Sequence, residues 1–231
     1  MGQRASLDYI TDFTFDFELE PLATGLIIVD MQYASGSREN GLGKLLKAQG
    51  KEELARYRYD RIEQVVVPTI QRLLAFFRKH DLQVIYLTMG SEMPDYSDAL
   101  PHLKAFFASS NNRIGTREHE ILEELSPQPG ELVLNKTTIG AFNSTNLDSI
   151  LWSRGIKYLL FTGVSTNMCV DTTARDGADR GFRCVIIEDG CGASAQSYHD
   201  AALITFQRLF GKVKSSREVI RELESEARAD T

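Results

Sequence analysis

Residues 156–188, IKYLLFTGVSTNMCVDTTARDGADRGFRCVIIE, decide the fold. The opening run, 156–162, is apolar and too short for a typical helix, so it reads as a buried strand. A helical pattern follows over 167–180, and 183–188 is a second short apolar run. Working outward, the same alternation recurs. Thr24-Gly-Leu-Ile-Ile-Val-Asp30, 82–89 and 131–136 read as strands, and a last one falls near Val213. Helical patterns cover 59–80, with a break or a fresh start expected at Pro68, 144–154, capped by Ser144 or Thr145, 198–210, and the charged stretch from Ser216 onward. Strands alternating with helices imply right-handed crossovers and a sheet covered on both faces. The expectation is a three-layer α/β/α domain, Rossmann-like, with a mainly parallel central sheet of about six strands. Residues 35–49, rich in Gly and Lys, read as a mobile loop. The stretch 90–117, with prolines at 94 and 101, reads as a long irregular segment, the kind that in a compact domain is functional or a lid.

Composition bounds the rest. The chain has 231 residues, 42% hydrophobic and 25% charged, with no linker, repeat or low-complexity segment, so one domain spanning 1–231 is expected. A net charge of −6 argues against nucleic acid or an anionic membrane as partner. No stretch approaches the ~18 apolar residues of a membrane span, and no export signal precedes the first strand. Three cysteines without framework spacing suit a reducing compartment, so the cytoplasm is expected. Met1-Gly2 with Ser6 fits a myristoylation pattern that is cheap to match by chance.

In an open parallel sheet, ligands bind where the strands end. Three chemically capable residues stand there: Asp30 ends the first strand, Lys136 the third, and Cys169 opens the helix after the fourth. With Ser165 or Thr166 as cap, Cys169 falls in the first helical turn, where unpaired N–H groups favour a thiolate. Lys136 would add a positive charge, and Asp30 could carry the proton from thiol to leaving group. Each residue alone has a plainer reading: Asp30 as a turn cap, Lys136 as a solvated strand end, Cys169 as a small buried hydrophobe. Together on one sheet edge they favour catalysis.

Three further stretches carry a resemblance: Leu26-Ile-Ile-Val-Asp-Met-Gln32, Leu134-Asn-Lys-Thr-Thr-Ile-Gly-Ala-Phe-Asn-Ser-Thr145 and Gly163-Val-Ser-Thr-Asn-Met-Cys-Val-Asp-Thr-Thr-Ala174. In this order they resemble the isochorismatase-like hydrolase superfamily, in its cysteine-hydrolase branch. The resemblance implies an Asp–Lys–Cys triad on Asp30, Lys136 and Cys169. It also implies a cis peptide at Val164-Ser165, with an oxyanion hole from the N–H groups of Ser165 and Cys169. The implied reaction is hydrolysis of a C–N bond in a small amide, ureido or carbamoyl compound through a thioester, as in enzymes for ureidoacrylate, N-carbamoylsarcosine or biuret. The vinyl-ether-cleaving isochorismatases lack a cysteine at this position. Nicotinamidases bind a metal through an Asp-x-His pair after the second strand; here 89–102 holds only His102. No metal and no cofactor are therefore expected. A nicotinamidase-type or vinyl-ether hydrolase, or a non-catalytic binding protein, remains the alternative. The family's habit makes a homodimer or homotetramer the expected assembly.

Gln32, Tyr33, Phe142 and Asn143 lie beside the triad in sequence and are candidate substrate contacts. Arg113 and Arg117 could pair with a substrate carboxylate, or be solvated surface cations. Cys184 reads as core and Cys191 as a residue near the pocket rim. The histidines at 80, 102, 119 and 199 show no ligand spacing.

Overall fold

The computed structural model describes residues 9–13 and 15–229; the Met1-Gly2 pattern lies outside them. Six strands form one sheet: β1 (Thr24–Val29), β2 (Gln83–Met89), β3 (Leu132–Lys136), β4 (Tyr158–Val164), β5 (Arg183–Gly192) and β6 (Gly211–Lys214). Their order is β3-β2-β1-β4-β5-β6, and every pairing is parallel. The chain winds outward from β1 in one direction and from β4 in the other, so β1 and β4 flank the point where strand order reverses.

Side chains alternate across the sheet, yet both faces are buried, which is why the strands read as unbroken apolar runs. From β1, Leu26 and Ile28 enter one core layer while Ile27 and Val29 enter the other. From β4, Leu160 goes to the first layer and Phe161 to the second. The first layer is closed by α4 (Val67–Lys79) through Ile70, Leu73 and Phe77, and by α9 (Ser216–Ala229) through Val219 and Leu223. The second is closed by α5 (Pro101–Ser109), α6 (Leu147–Ser153), α7 (Asp171–Asp179) and α8 (Gln196–Phe206), through residues such as Phe107, Leu151, Ala174 and Phe206.

Several segments differ from the sequence reading. The stretch taken as a mobile loop holds a single turn α1 (Tyr33–Gly36) and an amphipathic helix α2 (Gly41–Ala48). Its glycines serve close packing. A Cβ on Gly43 would stand 2.4 Å from the Arg38 carbonyl oxygen, and one on Gly41, which has φ +45°, 2.4 Å from Ala34 Cα. The 90–117 segment contains α5, whose Pro101 occupies the first turn, where a missing N–H costs nothing. Pro68 marks a fresh start of the same kind. It lies in the first turn of α4, and a π-helical turn, Ile62–Val66, joins α4 to α3 (Arg56–Arg61). Ser144 and Thr145 precede α6 but do not cap it in the expected sense: its first residue is Leu147, whose N–H donates to Thr145 Oγ1 at 3.2 Å. Finally, β5 runs past Glu188, resuming its pairing with β4 at Cys191 and Gly192 after a register shift. Among the described residues no helix is long and apolar enough to cross a membrane.

Candidate active site

Strand register brings Asp30 and Lys136 together. Val29 pairs with Leu87, and Met89 pairs with Lys136, so both side chains leave the same sheet edge, two strand spacings or about 10 Å apart. The lysine reaches across the end of β2. Its Nζ lies 3.0 Å from Asp30 Oδ2 and 3.2 Å from the Thr138 carbonyl oxygen. Asp30 itself has φ +51°, turning sharply off β1, and its carbonyl oxygen accepts from Ser35 Oγ at 2.6 Å. Its second carboxylate oxygen, Oδ1, is buried without a hydrogen-bond partner.

Cys169 completes the group. It sits in the π-helical turn Thr166–Val170 that leads into α7, is 5% exposed, and interacts electrostatically with both Asp30 and Lys136. Its Sγ makes a weak 3.9 Å approach to Met89 Sδ, and its carbonyl oxygen accepts from Thr173 Oγ1 at 2.6 Å. Burial, then the Asp30 charge, push the thiol up to about 12; Lys136 pulls the other way without prevailing. Burial and Asp30 thus favour the thiol, while the helix position and Lys136 favour the thiolate. Burial opposes the charge on Lys136, but Asp30 and Cys169 outweigh it and hold its pKa above the ordinary lysine value.

The peptide Val164-Ser165 is cis. Neither Ser165 nor Thr166 caps the following turn with its side chain. Both are engaged elsewhere. Ser165 Oγ accepts from Arg58 Nη1 at 2.7 Å, and Thr166 Oγ1 lies 2.8 Å from His199 Nδ1. Arg58 is buried, and its Nε and Nη2 donate to the Ser35 carbonyl oxygen at 3.2 and 2.9 Å. It thus ties the turn after Asp30 to the loop before Cys169. Burial lowers its pKa from the ordinary arginine value. One helical turn on, Arg61 donates from Nε to the Cys191 carbonyl oxygen at 2.9 Å and from Nη2 to the Glu188 carbonyl oxygen at 3.0 Å. Arg61 Nη2 also lies 3.0 Å from His199 Nε2. A guanidinium can only donate, so His199 Nε2 accepts and its Nδ1–H donates to Thr166. The spacing of Arg58 and Arg61 on a helix whose remaining face is core was the sequence signal for this pair of clamps.

Asp30, Ser165 and Cys169 share the wall of a cavity of about 570 Å³. Its other walls come from the two segments whose structure differed from expectation: α2 contributes Leu42 and Leu46, and α5 contributes His102, Leu103 and Phe106. The candidate substrate contacts lie outside it. Gln32 is buried and braces the backbone: Oε1 accepts from Met89 N at 2.8 Å and Nε2 donates to the His119 carbonyl oxygen at 2.8 Å. Tyr33 stacks under Arg117, 3.7 Å from guanidinium carbon to ring centre. Phe142 packs on Phe182 in the core, and Asn143 is exposed, donating to Asp176 at 3.3 Å. Proximity in sequence does not put these side chains on the cavity wall: Gln32 is spent on the backbone at the end of β2, and the other three turn to the surface or the core. Arg113 and Arg117 do not reach the cavity either; Arg117 pairs with Glu120. Cys184 is core, as read. Cys191 is core as well, not at the rim, because β5 continues through it. Among the described residues no three His, Cys, Asp or Glu side chains gather as metal ligands would.

An all-parallel sheet with a reversed strand order, and a buried acid, amine and thiol at its carboxyl edge, defines the class as a doubly wound α/β scaffold. The isochorismatase domain family matches residues 24–218, so the chain belongs to that family. It is similar to the ureidoacrylate amidohydrolase RutB of Stutzerimonas stutzeri, 32% identical over 85% of this chain and 83% of the relative. The protein of that name from Caulobacter segnis is 29% identical over 87% and 85%. Among solved structures, a cysteine hydrolase from Pseudomonas syringae pv. phaseolicola superposes with a TM-score of 0.75, at 26% identity, covering 92% of this chain and 98% of its own. The N-carbamoylsarcosine amidase of Thermoplasma acidophilum gives 0.61 at 26% identity, over 84% and 97%.

Proposed function

We propose that the protein hydrolyses a C–N bond in an amide, ureido or carbamoyl compound, with Cys169 as nucleophile. The observation that carries this reading is the meeting of Asp30, Lys136 and Cys169, with Asp30 and Cys169 on one wall of a cavity and Lys136 buried behind Asp30. The names of the relatives, amidohydrolase and amidase, point the same way.

A thiol held near pKa 12 attacks only if its proton leaves as the bond forms. Asp30 is the acceptor: its Oδ1 is buried and unpartnered, and Lys136 holds Oδ2. Sulfur adds to the carbonyl carbon as Asp30 takes the proton. The oxyanion that develops is received by the backbone N–H groups of Ser165 and Cys169, an arrangement worth several kcal/mol in acyl transfer. Protonated Asp30 then donates to the departing nitrogen, and the C–N bond breaks to leave a thioester. Water attacks the thioester carbon, giving its proton to Asp30. The sulfur leaves and regains that proton, releasing the acid. Lys136 keeps Asp30 oriented between these transfers. No step requires a metal.

The test is ammonia or amine release from a panel of amides, ureas and carbamoyl compounds. Turnover that survives chelators and disappears in Cys169→Ala is the expected result. Full activity in that variant, or activity restored only by added metal, would overturn the reading.

A further inference from the structure

The cavity is larger and more apolar than a small ureido compound needs. At about 570 Å³ it holds some nineteen water volumes of ~30 Å³ each, which places it among pockets that enclose drug-sized ligands of roughly 300–1,000 Å³. Its chemistry is divided. The polar groups cluster at the nucleophile end, where most are already engaged: Asp30 with Lys136, Ser35 with the Asp30 carbonyl, Arg58 with Ser35 and Ser165. Most of the remaining lining is hydrocarbon, from Leu42, Leu46, Leu54, Leu103, Phe106 and Ile139, with His102 and Asn167 among it. At the mouth, Leu54, Met168 and Tyr198 are 75%, 48% and 55% exposed, a concentration of solvated apolar surface beside a functional cavity.

We propose that the substrate is an amide or ureido compound carrying an apolar alkyl or aryl body, which lies between α2 and α5 with its carbonyl carbon at Cys169. This rests on the hydrolase reading and specifies what that site accepts. The occupant is taken to be the substrate because the apolar wall is continuous with the wall that holds Asp30, Ser165 and Cys169. A polar body of the same size would lose its water to a lining that is mostly hydrocarbon.

The experiment is a series of straight-chain primary amides from acetamide to octanamide, with the matching alkylureas and with ureidoacrylate. Each methylene that leaves water for the cavity should raise kcat/KM by about fourfold, so hexanamide should exceed acetamide by roughly 100-fold or more. Turnover that is flat or falling along the series, with ureidoacrylate preferred, overturns the proposal while leaving the hydrolase reading intact. If nothing is turned over, the hydrolase reading fails, and binding of the same amides to Cys169→Ala by calorimetry decides the rest. Tighter binding of hexanamide supports the apolar site; equal binding overturns it. The double variant Leu54→Gln/Met168→Gln, at largely exposed positions, should reduce the gain per methylene. Should it instead split an oligomer and leave the chain-length profile unchanged, the mouth is an interface between copies and the proposal falls.

Discussion

Nζ of Lys136 stands 3.0 Å from Oδ2 of Asp30, with the two side chains only 0% and 3% exposed. Water cannot compensate either charge if the other is removed, and stranding one member of such a pair costs about 3–5 kcal/mol. Lys136→Met should therefore destabilise the fold by about that much in urea or guanidinium titrations. Asp30→Asn/Lys136→Met should recover part of the loss while remaining inactive. A double variant as unstable as the sum of the single changes would show that the two residues are not coupled.

The Cys169 thiol offers a test with opposite signs for its neighbours. Burial, then Asp30, raise its pKa to about 12, whereas Lys136 lowers it. Alkylation by iodoacetamide at neutral pH should run of order a thousandfold slower than for a free thiol near ~8.5. Asp30→Asn should speed alkylation while abolishing hydrolysis; Lys136→Met should slow it. Slow alkylation of the wild type thus does not by itself mark the cysteine as structural.

His199 is nearly sealed from solvent, and burial together with Arg61 depresses its pKa to about 4. In the unfolded chain it titrates near ~6.5. The unfolded state therefore binds the extra proton first. Stability is fully present above about pH 6.5 and declines as the pH falls toward 4, by about 1–3 kcal/mol from this residue. The measurement is the pH dependence of unfolding in wild type and His199→Gln, with an NMR titration of the ring. An ordinary titration midpoint would remove the argument.

Arg58 donates to Ser35 O on one side and Ser165 Oγ on the other, so it acts on the reaction by holding two loops in place. Arg58→Lys keeps the charge but cannot span both partners. Its kcat should fall about 10- to 100-fold, as misplacement of reacting groups predicts, while the pH dependence of kcat keeps its midpoints. Ser165→Ala, which removes only one contact, should be milder. Shifted midpoints would instead assign Arg58 a direct electrostatic part.

Gly43 has no room for a methyl group: the nearest neighbour would be backbone oxygen at 2.4 Å. Gly43→Ala should push α2 off the Ser37–Asn40 turn, destabilise the fold by about 1–3 kcal/mol, and raise KM more than it lowers kcat. Gly50→Ala, with open space but φ +64°, is the control for backbone strain alone.

Much of this was legible before any coordinates. The alternation of short apolar runs with helical patterns specified the layered sheet, and the strand ends located Asp30, Lys136 and Cys169 because parallel topology gathers those ends. Two kinds of feature were hidden. Glycines and prolines have two meanings, and local pattern cannot tell a glycine that loosens a loop from one, like Gly43, that lets a helix pack against backbone. The same ambiguity concealed α5 behind Pro101. Side-chain direction was the second. Gln32, Tyr33, Phe142 and Asn143 are near the triad along the chain but turn toward backbone, core or solvent, whereas Arg58, remote in sequence, is folded beneath Ser165.

Both apolar walls belong to excursions from the sheet. Helix α2 lies in the crossover from β1 to β2, and α5 in the one from β2 to β3. The reacting groups are anchored to strand ends whose neighbours are fixed by backbone pairing. Preference and chemistry are thus carried on separable pieces of chain, and drift in the two excursions can retarget the molecule without disturbing the atoms that break the bond.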